Sequence, residues 1–79
     1  MSDSTSSSEK PVRISAEPIE LCQLLKFSGL TESGGAAKQA ISEGLVQLNG
    51  SVETQKRKKV MAGDRVSYLG TTLLVSVGR

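Results

Sequence analysis

The sequence predicts an α+β domain in which two packed helices are followed by a small antiparallel sheet, with a short strand at the N-terminus. Apolar residues recur at helical spacing in the first half of the chain, and from Leu45 onward they alternate with polar residues, as in half-buried strands. The pair Asn49-Gly50 joins two alternating segments and is a strong hairpin signal, because a type I′ turn needs two positive φ angles. Helices followed by strands are typical of the α+β class, and 79 residues suffice for one domain.

The start of the chain is Ser-rich and poor in apolar side chains. Such a composition buries too little apolar surface to offset the entropy of ordering, so we expect residues 1–11 to form a disordered tail. Residues 12–79 are expected to form the single domain. They begin with an alternating segment, Val12 to Ser15, which predicts a short strand.

The first helix is expected to have Pro18 in its first turn, where the missing N–H costs nothing. Ile19, Cys22 and Leu25 follow at three-residue spacing and predict the buried face of this helix. Gly29 is expected to end it in the left-handed conformation. Cys22, the one cysteine of the chain, is therefore assigned to core packing rather than to reactivity.

The second helix is expected to begin after Ser33, a good N-cap residue, and to end at Gly44. Small residues on its apolar face allow close approach to the first helix. This face consists of Ala36, Ala37, Ala40 and Ile41. Lys38 falls on the opposite face, and Gly34-Gly35 lies in the exposed first turn.

The strands are expected in the second half of the chain. Val46 and Leu48 alternate with polar residues before the Asn-Gly turn, and Thr54 to Lys59 is polar and basic, which predicts a loop. Beyond it we expect, in order, a turn over residues 60–64, a strand over residues 65–69, a turn at Gly70-Thr71 and a strand over residues 73–77.

The composition excludes several kinds of chemistry. Histidine is absent, and a lone cysteine forms neither an intrachain disulfide nor a Cys/His metal site. Glycines do not occur in the spacing of a nucleotide-binding loop. We therefore expect no catalytic residues, no enzymatic activity, no cofactor and no metal. No apolar stretch approaches the roughly 18 residues of a membrane span, and the start is unlike a secretory signal, so we expect a cytoplasmic monomer that does not contact membranes.

The positive charge of the chain is concentrated in one segment. The net charge is +2, but without residues 1–9 there remain ten basic and six acidic residues, a net charge of +4. Four of the basic residues are consecutive: Lys56, Arg57, Lys58 and Lys59. This run is either a solvated loop or, if it lies on the same face as Lys38, part of a cationic concavity suited to phosphates.

Aromatic residues are scarce, which bears on the kind of nucleic acid that such a surface would bind. Phe27 and Tyr68 are the only two, and there is no Trp. Proteins that bind single strands stack bases on aromatic side chains. We expect Phe27 in the core and Tyr68 in a strand, which leaves no stacking platform. Recognition of the backbone and shape of a folded RNA is then the favoured mode.

Several short segments occur in a fixed order. They are Leu21-Cys22-Gln23-Leu24-Leu25, Gly29-Leu30, Ser33, Ala37-Lys38-Gln39-Ala40-Ile41, Gly44, Val46, Leu48-Asn49-Gly50, Val60 and Gly63-Asp64. In this order they resemble the RNA-binding domain named after small-subunit ribosomal protein four, the S-four domain, over residues 18–69. The chain is especially similar to small stand-alone bacterial members. The resemblance implies two helices and a small sheet in an L-shaped arrangement.

The resemblance also implies a binding surface for structured RNA, ribosomal or transfer RNA, on the second helix and the segment after the hairpin. Carried over by position, the contacts are Ser33, Lys38 and Gln39 on the helix and Lys56, Arg57, Lys58 and Lys59 in the loop. Asn49 and Gly50 are implied to be structural. Many members have Arg directly after the capping Ser, where this chain has Gly34. Either the basic run compensates for that contact, or the glycines let the RNA backbone approach more closely.

Two functional hypotheses follow. The first is a non-catalytic protein that recognises the backbone and shape of a structured RNA through a basic helix-and-loop surface. The alternative is a protein-interaction adaptor whose basic loop binds an acidic, ribosome-associated partner. An RNA-modifying enzyme is disfavoured, because in the family resembled that activity belongs to separate catalytic domains.

Overall fold

The computed structural model describes residues 8–78, in which two helices accompany two sheets. The helices are α1 (Leu21–Ser28) and α2 (Gly34–Ser42). The strands of this described part are β1 (Ser8–Ile14), β2 (Ile19–Glu20), β3 (Val46–Leu48), β4 (Ser51–Val52), β5 (Lys59–Val60), β6 (Arg65–Tyr68) and β7 (Thr71–Val77). Neither helix has the length and apolar character that crossing a bilayer requires.

The larger sheet has five strands in the order β1-β7-β6-β3-β4, and β2 pairs with β5 in a separate two-stranded sheet. Neighbouring strands are antiparallel except β1, which runs parallel to β7. The α+β class and the N-terminal strand are confirmed. The sheet is mixed rather than antiparallel throughout, because the whole intervening chain serves as the long crossover that a parallel pair requires. Alternation of side chains does not report strand direction, so the sequence pattern missed this feature.

The N-terminal strand is longer than predicted. β1 begins at Ser8, whereas residues 8–11 were expected to belong to a disordered tail. It pairs with β7 along its full length, from Ser8 opposite Thr71 to Ile14 opposite Val77. Main-chain hydrogen bonds to a partner strand of equal length order these polar residues, and composition carries no information about that partner. Residues 1–7, the rest of the predicted tail, lie outside the described residues.

The core joins alternate residues of the strands to the inward sides of both helices. Its buried members are Val12, Ile14, Leu21, Cys22, Leu24, Leu25, Ala37, Ala40, Ile41, Val46, Val60, Val66, Leu73 and Val75. The placement of Cys22 in the core is confirmed. All these side chains are aliphatic apart from the cysteine, so the core is built without an aromatic ring.

The start of α1 differs from the prediction. Pro18 and Ile19 lie outside the helix, and Ile19 belongs to β2, where it is paired with Val60. The helix begins at Leu21 because partners for its first N–H groups come from a distant loop, as described below. Its end is as predicted: Gly29 has φ 85°, the left-handed conformation that glycine adopts without steric cost.

Helix α2 follows the predicted capping. The hydroxyl Oγ of Ser33 accepts a hydrogen bond from the Ala36 N–H at 3.1 Å, which satisfies one unpaired donor of the first turn. Ala37 and Ala40 are buried, as the apolar face predicted. Ala36 is exposed, so its assignment to that face was wrong.

The Asn-Gly hairpin is confirmed, with φ 53° at Asn49 and 88° at Gly50. The Asn49 side chain also connects this turn to the start of β6. Its Oδ1 accepts from the Arg65 N–H at 2.9 Å, and its Nδ2 donates to Asp64 Oδ1 at 3.2 Å. The pair is therefore structural, as the resemblance implied.

Two boundaries near the C-terminal strands differ from the prediction. Lys59 and Val60 form β5, whereas Lys59 was placed in the loop and Val60 in the following turn. The last turn is centred on Leu69-Gly70, with φ 50° and 82°, and Thr71 already belongs to β7. In both places pairing with a distant strand extends the strand into residues whose local pattern favours a turn.

Candidate nucleic-acid interface

The basic run Lys56–Lys59, called here the basic loop, is fixed by its backbone to the start of α1. The Leu21 N–H donates to the Lys58 carbonyl at 2.9 Å, and the Cys22 N–H donates to the Lys56 carbonyl at 3.1 Å. Glu20, at the N-cap position, makes no side-chain capping bond. The loop carbonyls therefore satisfy N–H groups that a helix start otherwise leaves unpaired.

The basic loop is held at both of its ends. Its last residue, Lys59, pairs with Glu20 in the two-stranded sheet, and the next residue, Val60, is fully buried. Before the run, the Gln55 N–H donates to Glu53 Oε2 at 3.1 Å, and the Lys58 N–H closes a turn onto the Gln55 carbonyl at 3.2 Å. The four cationic side chains are exposed on this anchored backbone.

The structure brings Lys38 of α2 together with the first half of the basic loop. Lys38 and Arg57 line one open cleft of about 450 Å³, the helix cleft, whose other lining residues include Glu20, Lys26, Phe27 and Gly34. A second concavity, the loop groove, is lined by Lys38, Thr54, Gln55, Lys56 and Arg57. Lys38 and Arg57 lie at the border of both, so helix and loop form a continuous cationic surface.

The remaining predicted contacts are placed differently. Lys58 and Lys59 are exposed but do not line the helix cleft or the loop groove. The Ser33 hydroxyl is engaged as the N-cap of α2. The Gln39 side chain donates from Nε2 to Glu43 Oε2 at 3.1 Å, so its amide is partly occupied within the helix.

Within residues 8–78, the cations of this surface have no carboxylate at ion-pair distance. Within residues 8–78 the one ion pair is Arg65 with Glu9, at 3.5 Å, and it lies on β6 and β1. Lys38 and the basic loop make no ion pair in this described part. The same residues contain no group of three or more His, Cys, Asp or Glu side chains that could hold a metal ion. The surface is therefore suited to an anionic ligand.

Phe27 is a residue of this surface that the sequence interpretation placed wrongly. It was assigned to the core, but its side chain is 61% exposed and lines the helix cleft. The reason is helical geometry: Phe27 follows the buried Leu25 by two positions, which turns it about 200° around the axis of α1. Counting rotation rather than hydrophobicity would have placed Phe27 near Gln23, on the outer side of the helix.

Gly34 also lines the helix cleft, in the first turn of α2. A Cβ atom added at this position would meet no heavy atom within 4 Å. The absence of a side chain is therefore not required by packing. The glycine leaves space at the position where many members of the family resembled have an arginine.

This chain is similar to a known protein family, to individual proteins and to a solved structure. The family model described as the S4 domain matches residues 12–76. The "Putative RNA-binding protein YbcJ" of Escherichia coli (strain K12) is 53% identical over 57 residues, which cover 72% of this chain and 81% of that protein. The "Probable ribosome maturation protein RlbA" of Bacillus subtilis (strain 168) is 37% identical over 60 residues, 76% of this chain and 84% of that protein.

A larger protein and a solved structure extend these similarities. The tyrosine–tRNA ligase of Ralstonia nicotianae is 39% identical over 59 residues, but these form only 15% of that enzyme, so the likeness concerns one domain. The solution structure of Escherichia coli YbcJ, described as revealing an αL motif involved in RNA-binding, superposes with a TM-score of 0.62 at 40% identity. The superposition covers 95% of this chain and 94% of the YbcJ chain. With its two packed helices, its sheet and the family match over residues 12–76, this chain belongs to the S4 domain family.

Proposed function

We propose that this protein binds a structured RNA, of the ribosomal or transfer class, without catalysing a reaction on it. Lys38 and the basic loop contact the phosphates, and the shape of the RNA selects the site. The observation that carries the proposal is the convergence of Lys38 with Lys56 and Arg57 on one surface that has no carboxylate partners among residues 8–78. The family and the printed description of the similar solved structure support RNA as the ligand.

The anchored backbone of the basic loop favours this role. Ordering a flexible segment on binding costs free energy, and a segment already fixed avoids most of that cost. Here hydrogen bonds from Leu21 and Cys22 hold the loop before any ligand arrives. The backbone positions from which the cationic side chains extend are thus fixed, which favours an RNA whose phosphates match the shape of this surface.

The test compares two double variants of the 79-residue chain, each of which removes two positive charges. Lys56→Gln/Arg57→Gln removes one lysine and one arginine from the proposed surface, and Lys10→Gln/Arg13→Gln removes the same pair of residue types from β1. Charge-assisted hydrogen bonds contribute about 1.5–3 kcal/mol each, so the first variant should bind transfer RNA or a ribosomal RNA hairpin at least about tenfold more weakly. The second should change the affinity less than about threefold, because it alters net charge only.

Equal weakening by both double variants would contradict the proposal, since it would reduce binding to the net charge of the chain. The adaptor hypothesis is tested in the same preparation. Proteins recovered with the chain from cell extract should be lost after nuclease treatment if RNA holds them. Recovery of one acidic partner that survives nuclease and depends on Lys56 and Arg57 would favour the adaptor instead.

A further inference from the structure

We infer that the helix cleft binds one unstacked nucleotide of the RNA, with the base on the Phe27 ring and its phosphate against Lys38 and Arg57. This inference rests on the proposed function and adds a binding element to it. A paired helix presents its phosphates but not the faces of its bases, so a site of this kind would select RNA that carries a bulged or looped-out nucleotide.

The size of the helix cleft fits a ligand of nucleotide dimensions. Its volume of about 450 Å³ lies within the range of roughly 300–1,000 Å³ typical of small-molecule sites. Phe27 and Lys26 come from α1, Gly34 and Lys38 from α2, and Arg57 from the basic loop. With Ile19 and Glu20 of β2, four segments form the walls, and the missing side chain at Gly34 keeps the cleft open.

The exposed ring of Phe27 offers an aromatic face on which a base can stack. A phenylalanine that leaves 61% of its surface in water forgoes most of the stabilisation that burial would provide. The cations Lys26, Lys38 and Arg57 line the same cleft. An aromatic face bordered by positive charges is the combination that proteins use to stack a base and hold its phosphate.

A protein ligand is a poorer fit to this cleft. Docking of an apolar peptide needs a contiguous apolar patch. The other large apolar side chains that are exposed in residues 8–78 all lie outside the helix cleft: Leu45, Val52, Met61, Leu69 and Leu74. Phe27 is thus a single exposed ring among charged groups, which suits one base rather than an apolar peptide.

The polar residues of the cleft determine how the nucleotide is oriented. Glu20 is the one carboxylate among the lining residues, and Gln23 lines the cleft with it. A carboxylate repels phosphate but accepts hydrogen bonds from the amino group of a base, and a glutamine side chain pairs well with adenine. The phosphate therefore faces Lys38 and Arg57, and the base edge faces Glu20. Adenine, cytosine and guanine carry exocyclic amino groups, so they should be preferred over uracil, which has none.

The test uses two RNA hairpins of the same sequence, one with a single bulged adenosine in its stem and one fully paired. The unmodified chain should bind the bulged hairpin about 5- to 150-fold more tightly, which corresponds to about 1–3 kcal/mol for one stacked base. Phe27→Ala should bring this ratio close to one, because it weakens binding of the bulged hairpin more than binding of the paired hairpin. A bulged uridine should give a smaller ratio than a bulged adenosine.

A tryptophan variant reports the stacking directly. The chain has no Trp, so Phe27→Trp places a single indole in the cleft, and its fluorescence should be quenched by the bulged hairpin but not by the paired one. Leu69→Ala is the matched control for Phe27→Ala. It removes an exposed apolar side chain outside the cleft, so the ratio of the affinities for the bulged and paired hairpins should stay unchanged.

The outcomes separate this inference from the proposed function. The inferred nucleotide site is contradicted if both hairpins bind the unmodified chain equally well, or if Phe27→Ala still binds the bulged hairpin more tightly by the same factor. RNA binding itself would stand in either case. If neither hairpin nor transfer RNA binds, the proposed function itself fails and the nucleotide site with it.

Discussion

The properties of the helix cleft depend on two residue choices, an aromatic ring at Phe27 and no side chain at Gly34. Both positions face solvent in the cleft, and neither choice is demanded by packing. Phe27 is not a member of the buried core, and a Cβ atom added at Gly34 would meet no heavy atom within 4 Å. Both positions can therefore be varied to test binding with little effect on the buried core.

Gly34→Arg tests whether the open position weakens or assists RNA binding. The added side chain meets no neighbouring atom at its Cβ and enters the helix cleft beside Lys38. If the glycine merely lacks a phosphate contact, the variant should bind transfer RNA several-fold more tightly. The slope of its log affinity against log salt concentration should also become steeper by about 0.7–0.9, which is the contribution of one phosphate contact.

Gly35→Arg is the control for this variant. It adds the same charge to the same turn of α2, but Gly35 is not among the residues of the helix cleft. Its binding should change little. Weaker binding of Gly34→Arg, with Gly35→Arg unaffected, would instead support the view that the glycine lets the RNA approach the backbone closely.

At the scale of elements, α1, α2 and the basic loop are coupled. α1 begins where the carbonyls of Lys56 and Lys58 accept its first N–H groups, and α2 lies against α1 through Ala37 and Ala40. Small side chains at the contact bring the helix axes close together. The distance from Lys38 to Arg57 therefore depends on the packing of two alanines as well as on the loop itself.

Enlarging these alanines should separate the helices. Ala37→Leu or Ala40→Leu inserts three extra carbon atoms into a contact where both positions are buried, and should lower the free energy of unfolding by roughly 1–3 kcal/mol. Denaturant unfolding followed by circular dichroism measures the change. Ala36→Leu, an identical substitution at an exposed position of the same helix, should alter stability by less than about 0.5 kcal/mol. Equal effects at positions 36 and 40 would contradict the packing described for α2.

At the scale of the whole molecule, the distribution of charge matters more than its total. The net charge of +2 is small, yet Lys38, Lys56 and Arg57 line one groove without ion-pair partners among residues 8–78. The ion pair of Arg65 with Glu9 lies on the five-stranded sheet and reduces the charge there. The protein therefore presents one cationic surface rather than a uniformly basic exterior, which favours one orientation of the RNA.

The salt dependence of binding counts these contacts. Four or five phosphate contacts predict a slope of log affinity against log salt concentration of roughly −3 to −4. Neutralising Lys38 alone should reduce the magnitude of the slope by about 0.7–0.9, because one fewer counterion is displaced. Titration of transfer RNA at several salt concentrations provides the measurement. A slope near zero would exclude binding through phosphates.

Features whose causes lie within a few residues could be predicted without coordinates. Ser33 caps a helix through its own neighbour Ala36, Gly29 ends a helix through its own φ angle, and Asn49-Gly50 forms a turn for the same kind of local reason. The exposed position of Phe27 belongs to this group as well, since it follows from rotation along one helix. That error came from weighing hydrophobicity above geometry.

Features that depend on distant partners could not be predicted. β1 begins at Ser8 because β7 is beside it, and α1 begins at Leu21 because Lys58 offers a carbonyl there. The same holds for the candidate site: the sequence indicated Lys38 and the basic loop, but nothing in it distinguishes Arg57, which borders the helix cleft, from Lys58, which does not. A hydrogen bond between distant segments, or a cleft lined by several of them, requires those segments to lie side by side. Tertiary packing determines which residues then face one another.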